Sequence, residues 1–259
     1  MASTLESQVG NVKANIRYPN SRILMEISSS LSDILEEVNF EITKEALRIR
    51  GTDPAKIAYI EVFMPMESFL DYEVKEEINM GVNVASLENI ISRSKRGDEV
   101  TFMVSDDKVL IKIEGEVNKK FLLPNIEVIL DVPSEIKIDY DAKVQIIADS
   151  FKKALSDASI FSDNVEFVAE ENKFIVRSEG EGPRGEAVFM TGSGSLIGIE
   201  VKQEARSKYD INYLNSVLNL AKIAETVEVA FSTEKPLQLL FNISDNSRVR
   251  YLLAPTSGL

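Results

Sequence analysis

At 259 residues, 44% hydrophobic and 27% charged, the chain has room for two domains of about 100–150 residues, each able to bury a core. With neither cysteine nor histidine, disulfides and the usual zinc ligands, nucleophile and acid–base groups are excluded. The net charge of −13 excludes loose wrapping of nucleic acid, which needs Lys and Arg to displace counterions from phosphates, so any such contact must be local.

In chain order, Met1–Gly10 has neither a basic start nor an apolar core, and no apolar run reaches the ~20 residues that span a bilayer. A chain that stays inside the cell is expected. Val12–Pro19 is a predicted strand, with Asn20 or Ser21 as N-cap of a helix over Arg22–Val38. Leu24, Ile27, Leu31, Ile34, Leu35 and Val38 recur there at three- and four-residue steps, forming one apolar stripe. Short strands follow at Phe40–Thr43, Ala46–Arg50 and Ile57–Phe63, with a turn at Gly51–Pro54. Asn79–Val84 is a strand and Leu87–Ser94 a second helix. Lys95–Asp98 ends that helix, and strands at Glu99–Val104 and Val109–Glu114 carry the chain to Lys119. After a connector, Glu135–Asp141 is a strand and Gln145–Ala158 a helix with Ile147, Phe151, Ala154, Leu155 and Ala158 inward. Strands surround Val165, Ile175 and Val188. Ile197–Lys202 and Ala205–Tyr209 lead to a last helix, Asn212–Lys222, and strands at Val227–Phe231, Leu237–Ile243 and Arg248–Leu253 finish the chain.

The two halves are copies. Shifted by 127 positions, Asn83–Val104 falls ungapped on Asp210–Phe231, with Leu87 on Leu214, Ile90 and Ile91 on Val217 and Leu218, and Phe102 on Val229. Asn39–Arg50 matches Asn164–Arg177 after a two-residue insertion. Such a repeat implies two pseudo-equivalent domains, expected at residues 12–118 and 134–255, each a duplicated strand–helix–three-strand unit. The connector, residues 119–133, joins them. Few helices and many short strands make the fold class α+β, with helices covering one face of extended sheets.

Catalysis finds no support in the motifs. Glu36–Glu37, Glu76–Glu77, Asp106–Asp107 and Glu170–Glu171 are adjacent pairs whose side chains diverge, which suits solvated faces. The glycine-rich stretches Gly180–Glu186 and Gly192–Gly198 sit between strands and lack the lysine of a phosphate loop and the flanking helix of a dinucleotide fold. Two surfaces remain. Arg22, Arg93, Lys95, Arg96, Lys152, Lys153 and Lys222 lie off the apolar stripes of the four helices, where a solubilising face is the alternative, favoured on the first helix by Glu26, Asp33, Glu36 and Glu37. The connector crowds Leu122, Leu123, Ile126, Val128, Ile129, Leu130 and Val132. Lys120–Leu123 suits a sheet-edge strand, and Leu130–Pro133 suits a docking patch.

In sum, INMGVNVASLENII (Ile78–Ile91), LRIRGTD (Leu47–Asp53), VILDVP (Val128–Pro133), KPLQLLFNI (Lys235–Ile243) and VRYLLAP (Val249–Pro255), in this order and with the duplication, resemble the sliding clamps of the proliferating cell nuclear antigen family, most of all the archaeal ones. The resemblance spans essentially Val12–Pro255. It implies the DNA-clamp fold and three chains, identical or paralogous, closing head to tail around double-stranded DNA. It implies no cofactor, metal or catalytic residue, and a cytoplasmic, nucleoid-associated protein. Arg22, Arg93, Lys95, Arg96, Lys152, Lys153 and Lys222 become the DNA-facing set. The first helix departs from the family pattern, with Met25, Glu26 and Ser32 where relatives often carry lysines. Ring closure is implied through Val109, Ile111 and Ile113 of one chain and Ala187, Val188 and Phe189 of the next. Polymerase, flap endonuclease, ligase and clamp loader are the implied partners. Their peptides would enter a pocket of Ile57, Leu130, Val132, Pro236, Leu252, Ala254 and Pro255, with Thr52 at its rim and Leu252 where many relatives have an aromatic residue. A checkpoint-type clamp subunit and an acidic peptide-binding scaffold that never encloses DNA are the alternatives.

Overall fold

The computed structural model describes residues 5–129, 132, 136–178, 180, 182–244 and 246–256. The chain forms two compact units. The first comprises Met1–Thr52, Ile60–Val132 and Ser244–Arg248, and the second Asp53–Tyr59, Pro133–Ile243 and Val249–Leu259.

In the first half of the chain the elements are β1 (Ala14–Tyr18), α1 (Ser21–Ser32), β2 (Glu37–Ile42), β3 (Ala46–Thr52), β4 (Ala58–Pro65), β5 (Asp71–Val74), β6 (Ile78–Asn83), α2 (Val84–Ile91), β7 (Glu99–Val104), β8 (Lys108–Glu114) and β9 (Lys119–Pro124). One set of strands is ordered β5-β1-β7-β8-β9, and another β4-β3-β2-β6. The second half gives β10 (Ala142–Ile147), α3 (Ala148–Ala158), β11 (Asn164–Glu170), β12 (Lys173–Ser178), β13 (Glu186–Met190), β14 (Leu196–Val201), β15 (Ala205–Asp210), α4 (Ile211–Asn215), β16 (Ala224–Phe231), β17 (Leu237–Ile243) and β18 (Arg248–Leu253). Here the orders are β14-β10-β16-β17-β18 and β13-β12-β11-β15. Adding nine to each strand number of the first half reproduces the second, which is the repeat of the sequence expressed as topology. The architecture is the α+β one that the patterning implies.

The cores follow from period. In β1 the buried Ala14, Ile16 and Tyr18 alternate with Asn15 and Arg17, as a half-buried strand requires. In α1 Leu24, Ile27 and Leu31 make the stripe, and Asn20 caps the helix by accepting the Arg22 N–H at 3.2 Å, satisfying one of the orphan donors of a helix start. In the second unit Phe167 is the hub of an aromatic cluster, with Phe174 and Tyr209 rings 5.4 Å away, Phe151 at 5.9 Å and Phe231 at 6.0 Å.

Several boundaries differ from those expected, each for a local reason. The first helix stops at Ser32, and Val38 belongs to β2. The hydroxyls of Ser28 and Ser32 donate to the carbonyls of Met25 and Ser29 at 3.0 and 3.1 Å, the back-bonding that weakens a helix. Strand β5, DYEV, was not expected, because charged residues alternate with its two half-buried ones, Tyr72 and Val74. The Tyr72 ring packs tilted against Phe69 at 4.9 Å, and its hydroxyl donates to the Thr43 carbonyl at 3.0 Å. Residues 136–141 carry no strand. The strand expected there is β10, and the helix expected from Gln145 begins at Ala148, since Ala142, Val144 and Ile146 keep period two, buried on one face. The last helix breaks into α4 and a 3-10 turn, Leu218–Lys222. The buried Tyr251 hydroxyl takes the Tyr213 carbonyl at 2.9 Å, and the Val217 N–H turns to Leu214 instead. Asn212, Asn215 and Ser216 are weak helix formers that do not resist this.

Candidate functional site

The second unit carries most of the expected apolar pocket. Asp53, 7% exposed, organises the loop before β4. Its Oδ1 accepts the Ile57 and Ala58 N–H groups at 2.7 and 2.6 Å, and its Oδ2 accepts the Ala55 N–H at 3.2 Å. Three backbone donors on one carboxylate fix the loop with Lys56 at φ +57° and leave Ile57 38% exposed. The chain leaving β18 is then stitched to it, the Ala254 N–H donating to the Ile57 carbonyl at 2.9 Å. Leu252 is buried, and Pro236, Ala254 and Pro255 are half-buried. Ile57 and Ala254 thus meet at one hydrogen-bonded crossing, with Leu252 and Pro255 in the same tail segment. Thr52 and Val132, the latter half-buried, belong to the first unit, and Leu130 lies outside the described residues.

The tail continues beside β15, where the Thr256 N–H donates to the Lys208 carbonyl at 2.9 Å. It borders a polar cleft lined by Glu166, Arg206, Lys208, Thr233 and Glu234, which the sequence reading missed. At its floor the carboxylate of Glu166, fully buried, is held by the Nε groups of Arg177 and Arg206. A buried carboxylate demands such pairing. In the strand register Glu166 stands opposite Arg177 on one neighbouring strand and Lys208 on the other, a juxtaposition that no linear pattern announces. Burial pushes the Tyr251 phenol well above its ordinary range, which keeps it a donor to the Tyr213 carbonyl.

In the first unit the connector is a strand and then an anchored strip. Lys119–Pro124 is β9, paired with β8. Asn125 is bolted down by four bonds. Its N–H donates to the Asp107 carbonyl at 2.9 Å, its Nδ2 to the carbonyls of Asn79 and Ser105 at 3.0 and 2.8 Å, and its Oδ1 accepts the Gly81 N–H at 2.7 Å. The Ile126 N–H donates to the Gly81 carbonyl at 3.0 Å, so the strip covers the outer edge of β6. Ile129 then stands 89% exposed.

The cationic set divides between the units. Arg22 is on α1, half-buried. Arg93, Lys95 and Arg96 are exposed on the loop after α2, not on the helix, which ends at Ile91. The Lys95 ammonium pairs with Glu116 at 2.9 Å, and the Lys119 ammonium caps the Arg93 carbonyl. Lys152 and Lys153 are on α3, where Asp149 holds Lys153 at 2.7 Å and raises its pKa by hydrogen bonding. Lys222 ends the 3-10 turn. Facing α1, Glu88 of α2 lies 2.6 Å from the Ser32 hydroxyl, whose one proton it shares with the Ser29 carbonyl, and burial together with Glu88 pushes the Asp33 carboxyl upward.

The edge strands require one correction. Val109, Ile111 and Ile113 lie on β8, between β7 and β9, with exposures of zero. They are core, because the free edge passes to β9, the sheet-edge strand expected at Lys120–Leu123. Strand β13 is an edge as expected, but its residues differ in role. Phe189 points inward, 6.0 Å from Phe174, and Ala187 is half-buried. Val188 and Met190 are 45% and 55% exposed. Beyond α3, Ile160 and Phe161 are 69% and 45% exposed, and the Phe161 ring abuts Gly185, just before β13. This apolar cluster went unrecognised, although two successive apolar residues beyond the stripe of α3 were its sign.

Comparison with known proteins gives one answer. Residues 14–135 match the N-terminal domain of proliferating cell nuclear antigen and residues 135–256 its C-terminal domain. The chain is 44% identical over 246 residues to DNA polymerase sliding clamp 1 of Aeropyrum pernix, covering 93% of this chain and 99% of the relative. It is 35% identical over 242 residues to DNA polymerase sliding clamp 1 of Sulfolobus acidocaldarius, covering 93% and 98%. Among solved structures, the proliferating cell nuclear antigen of Thermococcus kodakaraensis superimposes with a TM-score of 0.88 at 22% identity, covering 93% of this chain and 99% of that one. A clamp complex of two different subunits from Sulfolobus tokodaii also gives 0.88, at 21% identity and the same coverage. With both halves matched and relatives spanned almost end to end, the chain belongs to the proliferating cell nuclear antigen family and is a DNA polymerase sliding clamp.

Proposed function

We propose that this chain closes, with two further clamp chains, into a ring around double-stranded DNA, and that it does no chemistry of its own. The observation that carries the reading is the pair of edges. Strand β9 on the first unit and β13 on the second are each paired on one side only among the described residues. The first bears Lys119 and Lys120, the second Glu186 beside exposed Val188 and Met190. Head-to-tail pairing of two different edges is heterologous, and such interfaces close rings. It also removes two edges that would otherwise invite aggregation.

Retention on DNA is then topological, and the contacts need only be weak. Arg22, Arg93, Lys95, Arg96, Lys152, Lys153 and Lys222 are the proposed phosphate contacts. Carboxylates already engage Lys95 and Lys153, so a phosphate exchanges with a partner instead of filling a vacancy. Contact without base readout suits sliding.

The apolar crossing of Ile57, Pro236, Leu252, Ala254 and Pro255, with Leu130 and Val132 from the connector and Thr52 at the rim, is the proposed seat for client peptides of polymerase, flap endonuclease and ligase. Recognition by a few desolvated side chains follows the usual anchor-in-groove mode. A tethered enzyme that lets go of DNA rebinds at an effective concentration of order mM, which is processivity. The working divisions are residues 12–118, 119–133 and 134–255, and the working place is the cytoplasm, on the nucleoid. A clamp loader opens the ring.

The deciding experiment loads the protein onto nicked circular DNA with a clamp loader and isolates the complex by gel filtration. Cutting the circle should release the clamp within the dead time of the column. Equal retention on circular and linear DNA would overturn encirclement; relatives named as sliding clamps, matched almost end to end, already speak against the checkpoint-type and peptide-binding-scaffold alternatives.

A further inference from the structure

The residues before β1 lie outside the stretch matched to the family, which begins at residue 14, yet they are packed. Glu6–Gln8 form a 3-10 turn, Val9 is 3% exposed, and Gly10 takes φ +78°, a left-handed turn that glycine adopts without strain. The Lys13 N–H then joins the Val104 carbonyl at 2.8 Å, and β1 begins.

In the β8–β9 register, Lys112 stands directly opposite Lys120, and like charges so placed drive strands apart. Because β9 is an edge, no strand pairs with its other side within the first unit's sheet among the described residues. Glu6 bridges the two. Its Oε1 lies 3.0 Å from the Lys120 ammonium and 3.7 Å from that of Lys112. The three side chains are only 24%, 31% and 20% exposed, so screening by solvent is reduced. Leu110, two residues from Lys112 and therefore on the same face of β8, is fully buried, as a covered face requires.

We propose that residues 5–12 are a strap that locks edge strand β9 into its sheet through the Glu6 bridge. The strap thereby sets how readily this edge is presented to a second chain, a consequence that rests on the ring reading above. Without it, Lys112 and Lys120 repel, β9 frays, and the interface it offers is lost. The strap precedes the stretch matched to the family, which begins at residue 14.

Hydrogen exchange of the full chain tests it, comparing the native protein with Glu6→Gln and with a variant lacking residues 1–10. Exchange is read at a concentration where light scattering gives all samples the same mass. Amides of β9 should exchange about three-fold faster in Glu6→Gln, the size expected of one partly screened ion pair. They should exchange faster still in the truncation, with β5, the opposite edge of the same sheet, unchanged. In a Lys112→Gln background the effect of Glu6→Gln should shrink, since no like-charge pair remains to be bridged. Unchanged β9 exchange in Glu6→Gln overturns the strap, even should the truncation fail to fold. Faster β9 exchange with an unaltered dissociation midpoint of the assembly overturns its role in association alone. A native protein that is a single chain at every concentration, with the β9 effect intact, overturns the ring and upholds the strap.

Discussion

Asp53 shows how one side chain prepares a surface that other residues present. Its carboxylate gathers the N–H groups of Ala55, Ile57 and Ala58, and the fixed Ile57 carbonyl then receives the tail through Ala254. Asp53→Ala leaves three donors without their acceptor in a site that is 7% exposed. Hydrogen bonds to a charged group contribute about 1.5–3 kcal/mol each, and solvent reaching the loop recovers part of this. A net loss of about 2 kcal/mol in urea unfolding is expected, with a client peptide weakened at least ten-fold by calorimetry. Asp53→Asn, which keeps one acceptor oxygen, should lose less of both. A peptide affinity that survives Asp53→Ala would separate the loop from the pocket. At this scale the sequence was partly legible: Ile57, Leu252, Ala254 and Pro255 were identifiable, but by resemblance, whereas Asp53 was visible only as part of a turn. Nothing in a linear string says which of several aspartates will face three amides.

Among the elements, legibility tracked periodicity. Strand β1, the start of α1 and the doubled architecture were readable because apolar residues recur at two or at three and four, and because the halves repeat. Strand β9 was legible as a sheet-edge strand over Lys120–Leu123, but its residues are all half-buried apart from exposed Pro124, so no alternation in KKFLLP marks a face, and ring closure was expected one strand too early, on β8. The end of the last helix was set from afar by the Tyr251 hydroxyl. The connector's docking was hidden in a glycine. Gly81 lies in β6 under the strip, where an added Cβ would collide with the Ile126 carbonyl oxygen and press on Val128. Gly81→Ala should therefore cost about 1–3 kcal/mol, in the range of overpacking. It should also lift residues 126–129 off β6, which limited proteolysis would register as a new cleavage in the connector. An unchanged digestion pattern would show that the strip is held by Asn125 alone.

At the scale of the assembly, the edge of β13 and the residues beyond α3 are the part of the second unit whose exposure is hardest to explain in an isolated chain. Val188, Met190, Ile160 and Phe161 are four large apolar side chains, between 45% and 69% exposed, at or near a strand with one side unpaired. Apolar clusters of this kind on an unpaired edge mark association. Val188→Asp places a charge on that edge while leaving the inward Phe189 and its contact with Phe174 untouched, so the unit should fold as before. Burying a carboxylate among the apolar side chains of an interface costs several kcal/mol, enough to raise the dissociation midpoint by more than a hundred-fold. Light scattering across the micromolar range should give a mass of one chain for the variant where the native protein assembles, with circular dichroism and melting temperature unaltered. The carboxylate also meets Lys119 and Lys120 if β9 is the partner strand, so a partial rescue at low salt, absent in a Lys120→Gln background, would identify the opposite edge. Assembly undiminished by Val188→Asp would move the ring interface away from β13 and leave the exposed cluster to another partner.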